Sequence, residues 1–387
     1  MIRSTRRPFA ISAASLTALA APAVRAQVAT PGSTPGATPL ATPVSGGLRV
    51  SMIDTITIPN DLMVGDTLVG GISGLDFDAA AGVWYFLFDD RSDYQPARFY
   101  TGTVSYDDTG FTEVNLNEVV TLLQEDGTPF PNGEVGGNVP DPESIRKDPN
   151  NDLLWWTSEG SYELDIDPFV GIANPDGSMS SMIPMSAPFV MESGPRENLV
   201  FEGFSFSADG ESVWLGMEGA LYQDGPISSN KNSSFVRLIN LDRDGNVLRQ
   251  VALELDMIDA PDDAPFVTSG YTEILALEDD RMLAISRATV ADDAGVYRNF
   301  VRLWDLDLSV ATDISGIESL QDAKFVPAER RLVIDFNEAG LDPVDNLEAI
   351  TFGPNLPNGN RALVVASDNN FNVDTQVTQF VLLEVLG

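Results

Sequence analysis

The chain has 387 residues, with 58 acidic against 22 basic side chains and a formal net charge of −36, and it contains neither His nor Cys. So negative a chain is poorly suited to bind nucleic acid or an anionic membrane surface. The missing residue types exclude Ser-His-Asp and Cys-His catalysis, disulfides, and ordinary zinc or copper sites. Any chemistry therefore depends on carboxylates, Arg, Lys, Tyr, Ser or Thr, or on a hard cation held by oxygen ligands.

Residues 1–26 have the form of a bacterial export signal. A basic start precedes an apolar stretch, and Arg6-Arg7 followed by Pro8 and Phe9 matches the twin-arginine pattern. An ordinary secretory signal is the alternative. Residues 27–47 form a Thr/Pro/Gly/Ala-rich linker, so we expect the folded domain over 48–387 and a periplasmic, extracellular or cell-surface location. No other stretch is long and apolar enough to span a membrane.

Three segments of equal length share one pattern, in which two apolar runs flank a turn and an aromatic residue has the same offset. They are Ser73–Asp89 with Tyr85, Glu143–Glu159 with Trp155, and Glu202–Glu218 with Trp214. Two apolar runs around a turn predict an antiparallel hairpin. Because a hairpin returns its last residue to the level of its first, we expect Glu143 beside Glu159 and Glu202 beside Glu218. Asp89 and Asp90 close the first copy.

Further copies follow along the chain. Glu273–Arg287 is shorter and has a basic closing residue, Glu348–Asp368 is longer, and a weaker copy lies around Glu318. Strand-rich units repeated at long period predict an all-β fold, specifically a β-propeller. The six starts predict six blades, with five or seven as alternatives. The strand near Leu48 is expected to complete the last blade, so that N- and C-terminal strands close the ring.

Repetition around a propeller gathers the acidic hairpin ends at one mouth of the channel. The candidate metal ligands are Asp90, Glu143, Glu159, Glu202, Glu218, Glu273, Glu348 and Asp368. Carboxylate oxygens suit Ca²⁺ first, and Mg²⁺ or Mn²⁺ next. The alternative for any one of these acids is a solvated surface loop.

Basic and amide side chains flank the same hairpin ends. The candidate substrate-binding residues are Arg91, Arg98, Arg146, Arg287 and Asn370. A guanidinium group matches the geometry of a phosphate with two parallel hydrogen bonds, so these arginines are candidate phosphate clamps. The alternative for each arginine is an ion pair with the nearby acids.

Several stretches resemble the phytase-like family of exported bacterial proteins, described as having esterase-like activity of phytase. They include GGISGLDFD, DPESIRKDP, ENLVFEGFSFSADGESVWLGMEGALYQDGP and NLEAITFGPNLPNGNRALVVASDNNF, and the resemblance covers almost the whole chain after the leader. The resemblance implies a β-propeller, export, and hydrolysis of phosphate esters of the phytate kind.

The favoured hypothesis is a monomeric, calcium-dependent phosphomonoesterase that acts on a small-molecule phosphate ester. Two alternatives stay open from the sequence. One is a non-catalytic, metal-dependent binding propeller. The other is a calcium-dependent lactonase-type hydrolase, which shares the acidic mouth but has less need of arginine clamps.

Overall fold

The computed structural model describes residues 47–278 and 280–386, so the expected export signal and nearly all of the expected linker lie outside the described residues. The described chain consists of β-strands, turns and loops. It has one 3-10 turn, Tyr222–Asp224, and no α-helix. Within these ranges no helix has the length and hydropathy needed to cross a membrane.

Twenty of the described strands form five four-stranded antiparallel sheets, and two more form a separate two-stranded sheet. The first strand of the chain belongs to the last of the five. This strand is β1 (Arg49–Ile58), and the short strands β2 (Met63–Val64) and β3 (Thr67–Leu68) follow it. Blade 1 contains β4 (Ile72–Asp78), β5 (Val83–Phe88), β6 (Arg98–Asp107) and β7 (Gly110–Thr121). Blade 2 contains β8 (Pro142–Lys147), β9 (Leu154–Ser158), β10 (Phe169–Ala173) and β11 (Met179–Pro184).

Blade 3 contains β12 (Phe201–Phe206), β13 (Ser212–Met217), β14 (Ser234–Asp242) and β15 (Val247–Leu255). Blade 4 contains β16 (Phe266–Glu278), β17 (Arg281–Ala291), β18 (Tyr297–Asp307) and β19 (Glu329–Asp335). Blade 5 contains β20 (Asn346–Phe352), β21 (Ala362–Asp368) and β22 (Thr378–Leu386), and β1 pairs antiparallel with β22 at its edge.

The first strand of each blade makes the contacts between blades. Strand β4 contacts β8, β8 contacts β12, β12 contacts β16, β16 contacts β20, and β20 contacts β4. Sheets arranged in this way are the blades of a β-propeller. The start of every blade is therefore near the start of its two neighbours, which explains how residues distant in sequence meet.

The prediction of six blades is corrected to five among the described residues. The weak copy around Glu318 is a loop between β18 and β19, and its end is the outer strand of blade 4. Its apolar residues Ile314 and Leu320 pack on Ala252 of β15, and the Ile314 N–H donates to the Gln250 carbonyl at 2.9 Å. The segment thus covers the flank of blade 3. Its apolar side chains are buried against that blade, so they do not form a sheet of their own.

The repeated aromatic residues lie in the packing between blades. Tyr85, Trp155 and Trp214 are all buried. Trp155 of blade 2 meets two rings of blade 3, with centroid distances of 6.3 Å to Phe204 and 5.3 Å to Phe206. Large aromatic side chains supply much apolar contact area, so the aromatic residue at this position of each repeat holds neighbouring blades together.

Candidate metal and substrate site

A β-bulge interrupts the first strand of every blade. The bulges contain Ser73 in β4, Glu143 in β8, Glu202 in β12, Thr272 in β16 and Glu348 in β20. A bulge leaves a residue unpaired and re-aims its side chain. We call Glu143, Glu202 and Glu348 the bulge glutamates.

A second set of residues, the closing residues, lies where the second strand of each blade reaches the same level. They are Asp89, Glu159, Glu218, Arg287 and Asp368. The Glu159 N–H donates to the Asp141 carbonyl at 3.0 Å, and the Glu218 N–H to the Val200 carbonyl at 2.7 Å. The bulge shifts the backbone register, so Glu159 lies opposite Asp141 and Glu218 opposite Val200. The carboxylates of Glu143 and Glu159 nevertheless lie side by side as expected, with ligand atoms within 4.8 Å of each other.

A cavity of about 700 Å³ opens at this level. Its lining includes the three bulge glutamates and four closing residues, Asp89, Glu218, Arg287 and Asp368. Asn370 and Asn346 also line it. A cavity of this volume is typical of sites for small molecules.

Five carboxylates form two overlapping clusters at the cavity. One cluster is Asp89, Asp141 and Glu143, the other is Glu143, Glu159 and Glu202, and the ligand atoms within each lie within 4.8 Å of one another. Glu143 belongs to both clusters. Sets of oxygen ligands at such spacing fit a hard divalent cation such as Ca²⁺.

Several of these carboxylates lack partners within the described chain. Glu143 and Glu202 are buried, and neither side chain has a hydrogen-bond or ion-pair partner among the described residues. Glu159 accepts the Val200 N–H through Oε1, whereas its buried Oε2 has no described partner. A buried carboxylate without compensation is costly, so the donor set itself indicates a cation.

Burial and mutual repulsion raise the pKa of the carboxylates in these clusters and of Glu348 beside them. Burial, reinforced by the neighbouring Glu202, raises the pKa of Glu143 well above its usual range. Burial and then Glu218 raise the pKa of Glu159 to about 8. Burial raises the pKa of Glu348 to about 7, although Arg287 opposes the rise. A cation would replace these protons, because metal ligands must be deprotonated.

Arg287 is the cationic member of the closing residues. Its Nη2 donates to Glu218 Oε1 at 2.9 Å, and its Nη1 donates to Glu348 and Asn346. Its buried Nε has no hydrogen-bond partner among the described residues. Gly270 pairs with Arg287 across the hairpin, and a Cβ at Gly270 would lie 2.2 Å from Glu218 Cγ, so only glycine permits this approach.

Arg91 lies at the edge of the same site. Its Nε donates to Asp141 Oδ1 at 2.6 Å, and its Nη2 donates to Asn198, which lines the cavity. The Arg91 side chain is 37% exposed. Arg91 is therefore accessible to a ligand, although it is already paired with one carboxylate of the cluster.

Two predicted site residues, Asp90 and Arg98, pair with each other away from the cavity. Arg98 Nη1 donates to Asp90 Oδ2 at 2.7 Å, and both side chains are buried. Asp90 also accepts the backbone N–H groups of Asp93, Tyr94 and Gln95. This pair orders the loop after β5.

Arg146 and Glu273 also pair away from the cavity lining. Arg146 Nη2 lies 2.8 Å from Glu273 Oε2. The bulge of β16 falls at Thr272, so Glu273 is one residue past the position of Glu202 and points toward other partners. Glu273 accepts the Ser144 hydroxyl and the Phe204 N–H, and Arg146 donates to the Leu75 carbonyl, so the pair links blades 1 to 4.

Asp141 and Asn346 were not predicted from the sequence. Of Asp89 and Asp90, which both close the first copy, Asp90 was the predicted ligand, whereas Asp89 is the one that lies at the site. Asp89, Glu159 and Glu218 stand at equal spacing after Tyr85, Trp155 and Trp214, so the repeat itself contains the signal for Asp89. Asp141 comes opposite Glu159 only because of the bulge, for which the sequence has no evident signal.

Residues 67–371 match the family model described as phytase-like, with esterase-like activity of phytase. The chain belongs to this family. The resemblance read from the sequence is thereby confirmed.

Solved structures give weaker likenesses to this phytase-like chain. An exo-β-1,3-galactanase from Phanerochaete chrysosporium is 11% identical with a TM-score of 0.41; the match covers 85% of this chain but 64% of that one, less than two thirds. A thermostable family-43 glycoside hydrolase is 9% identical with a TM-score of 0.40, covering 85% and 96%. A glucose dehydrogenase is 11% identical with a TM-score of 0.38, covering 87% and 99%. At these values the likenesses carry no argument about chemistry. No curated protein matches the chain.

Proposed function

We propose that this protein is an exported, monomeric, calcium-dependent phosphoric-ester hydrolase acting on a small-molecule phosphomonoester. The observation that carries the proposal is the pair of carboxylate clusters joined at Glu143, with Glu143 and Glu202 buried and unpartnered in the described chain. Membership of the phytase-like family supports the phosphate-ester chemistry. The leader at residues 1–26 and the linker at 27–47 support export.

The site residues have two roles, which are to hold the cation and to orient the phosphate. Asp89, Asp141, Glu143, Glu159 and Glu202 would hold Ca²⁺, or Mg²⁺ or Mn²⁺ in its place. A bound divalent cation supplies Lewis-acid chemistry, neutralising charge on the phosphoryl oxygens.

Arg287 would orient the phosphate. Its Nε is a buried donor without a partner in the described chain, and Glu218 and Glu348 hold its other nitrogens in place. A guanidinium fixed in this way can donate a hydrogen bond to one phosphoryl oxygen. Asn370, at the end of blade 5, lines the same cavity and offers an amide to the substrate.

The direct test is release of inorganic phosphate from a panel of phosphomonoesters by the purified protein. We expect turnover with Ca²⁺ and its loss on adding a chelator in excess, with recovery when Ca²⁺ is restored. Turnover that ignores the chelator, or no phosphate release from any ester, would overturn the proposal. Cation binding without turnover would identify a binding propeller, and lactone hydrolysis without phosphate release would identify a lactonase.

A further inference from the structure

Blade 4 differs from the other blades in the length of its strands. Its first strand, β16, has 13 residues, whereas the first strands of blades 1, 2, 3 and 5 have six or seven. Beyond the site level, β16, β17 and β18 continue together, so the added length forms a wall beside the cavity. This feature belongs to blade 4 alone among the five sheets.

On the cavity side of this wall, the side chains change from polar to aromatic with increasing distance from Arg287. The next row on the same face is Thr268, Thr289 and Asn299, and it is polar. In the following row, Phe266 of β16 lies opposite Ala291 of β17, and Ala291 lies opposite Tyr297 of β18. Residues two apart on a strand share a face, so the polar row and the aromatic row follow the guanidinium in order.

The two rings at the far end of the wall are exposed. Phe266 is 43% exposed and Tyr297 is 63% exposed, although both are large and line the cavity. Their centroids are 5.7 Å apart at an interplanar angle of 67°. From the Arg287 row to the aromatic row is four residues of strand, or about 13 Å.

The polar row between them offers hydrogen bonds. The Thr289 hydroxyl donates to Asn299 Oδ1 at 2.8 Å, which leaves the Asn299 amide group as a donor toward the cavity. Hydroxyl-rich groups such as sugars are recognised by such side chains.

Charge limits the number of phosphates that the cavity can take. Arg287 is the single cationic side chain among the described residues that line it, and two glutamates already pair with it. The lining contains eight carboxylates, Asp89, Glu143, Glu197, Glu202, Glu218, Asp345, Glu348 and Asp368. Apart from the acids that would hold the cation and the two that pair with Arg287, the lining keeps Glu197, Asp345 and Asp368. Further phosphates placed away from the cation and Arg287 would meet these like charges, which is unfavourable at short range.

We propose that the substrate class is a nucleoside monophosphate: one phosphate at the carboxylate clusters and Arg287, a sugar along Thr268, Thr289 and Asn299, and a base against Phe266 and Tyr297. The inference rests on the proposed function for its phosphate end. It makes Phe266 and Tyr297 specificity-determining residues, because a planar base can stack on one exposed ring and contact the other with its edge.

The test compares adenosine 5′-monophosphate with ribose 5-phosphate, which have the same type of scissile bond, a phosphate monoester at the primary C5 hydroxyl of a ribose, and differ by the base. We expect kcat/KM to be about tenfold higher for the nucleotide, from ring contacts of ordinary strength. The variant Phe266→Ala/Tyr297→Ala should raise KM for the nucleotide about tenfold and leave ribose 5-phosphate unchanged. Tyr162→Ala, which removes an exposed ring outside the cavity, is the matched control.

Binding separates this inference from the proposed function. With Ca²⁺ present, we expect the non-hydrolysable methylenephosphonate analogue of the nucleotide to bind more tightly than the corresponding analogue of ribose 5-phosphate, and the double variant to erase the difference. Equal affinities, an unaffected double variant, or tighter binding of inositol hexakisphosphate would overturn the inference even if phosphate esters are hydrolysed. If no ester is hydrolysed but the analogue binds through the two rings, the proposed function fails and the nucleotide site stands.

Discussion

Glu202 is a bulge residue of β12 and a member of the cluster with Glu143 and Glu159. Burial raises its pKa well above the usual range, and Glu218 and Glu159 add to the rise. Its carboxylate has no partner in the described chain that would be lost on substitution. Glu202 is therefore the residue at which the role of the cluster can be tested most cleanly.

Replacing Glu202 with Gln keeps the size of the side chain and removes one ligand charge. We expect the affinity for Ca²⁺ to fall at least about tenfold, since Ca²⁺ sites are tuned by the number of charged ligands. The measurement is calorimetric titration of cation-free protein. Glu211→Gln, an exposed glutamate in the turn of the same hairpin, is the control and should bind as wild type does. Equal affinity for both variants would remove Glu202 from the site.

At the scale of single residues, much of the candidate site could be anticipated. Glu143, Glu202, Glu218, Glu348 and Asp368 line the cavity, as does Arg287. Residue types and their spacing were enough to predict these positions, because each residue recurs at the same place in a hairpin. They did not suffice for Glu273, because the bulge of β16 lies one residue earlier than the shared pattern implies.

The hairpins themselves are the elements that the sequence indicates best. Apolar runs around Asp, Asn and Gly turns correspond to the pairs β4–β5, β8–β9 and β12–β13. Bulges escaped prediction because they depend on how a strand packs against neighbouring blades as well as on its own residues. The loop around Glu318 was mistaken for a blade because apolar residues that cover a flank have the same composition as a short strand.

The ion pair between Arg146 and Glu273 connects elements of four blades, so its loss should lower the stability of the whole propeller. Glu273→Ala leaves the Arg146 guanidinium buried without its counter-ion. We expect the free energy of unfolding to fall by about 3–5 kcal/mol, the usual cost of breaking a buried pair. Denaturant unfolding of the purified variant measures this.

The matched control for that variant is Glu329→Ala, which breaks the pair of Glu329 with Arg331 at 3.0 Å, where both side chains are substantially exposed. It should cost less than about 1 kcal/mol. If both variants lose the same small amount, the buried pair does not tie the blades together.

For the whole molecule, the carboxylate cluster makes stability depend on pH when no cation is bound. Glu159 has a pKa of about 8 and Glu348 of about 7 in the folded protein, against an ordinary value of 4.5. Between about pH 4.5 and 8 the folded state thus holds more protons than the unfolded state. Stability is then highest at the acidic end of this window and declines as pH rises through it.

We therefore expect the melting temperature in the presence of a chelator to be lower at pH 8 than at pH 5. Added Ca²⁺ should raise it more at pH 8, where fewer protons compete for the ligands. Thermal unfolding at both pH values, with and without Ca²⁺, gives the comparison. A cation-free protein that is more stable at pH 8 would contradict the raised pKa values.

The pairing of β1 with β22 bears on the order in which the molecule assembles. Ile58 lies opposite Thr378, so blade 5 joins segments about 320 residues apart, and bringing the ends of so long a chain together costs about 5 kcal/mol of entropy in the unfolded state. Blades 1 to 4 each consist of consecutive strands and require only local contacts. We expect blade 5 to form last and to limit the folding rate, since contacts distant in sequence are slow to form. Until then the outer edge of β22 is an open strand edge, available to a second chain during refolding.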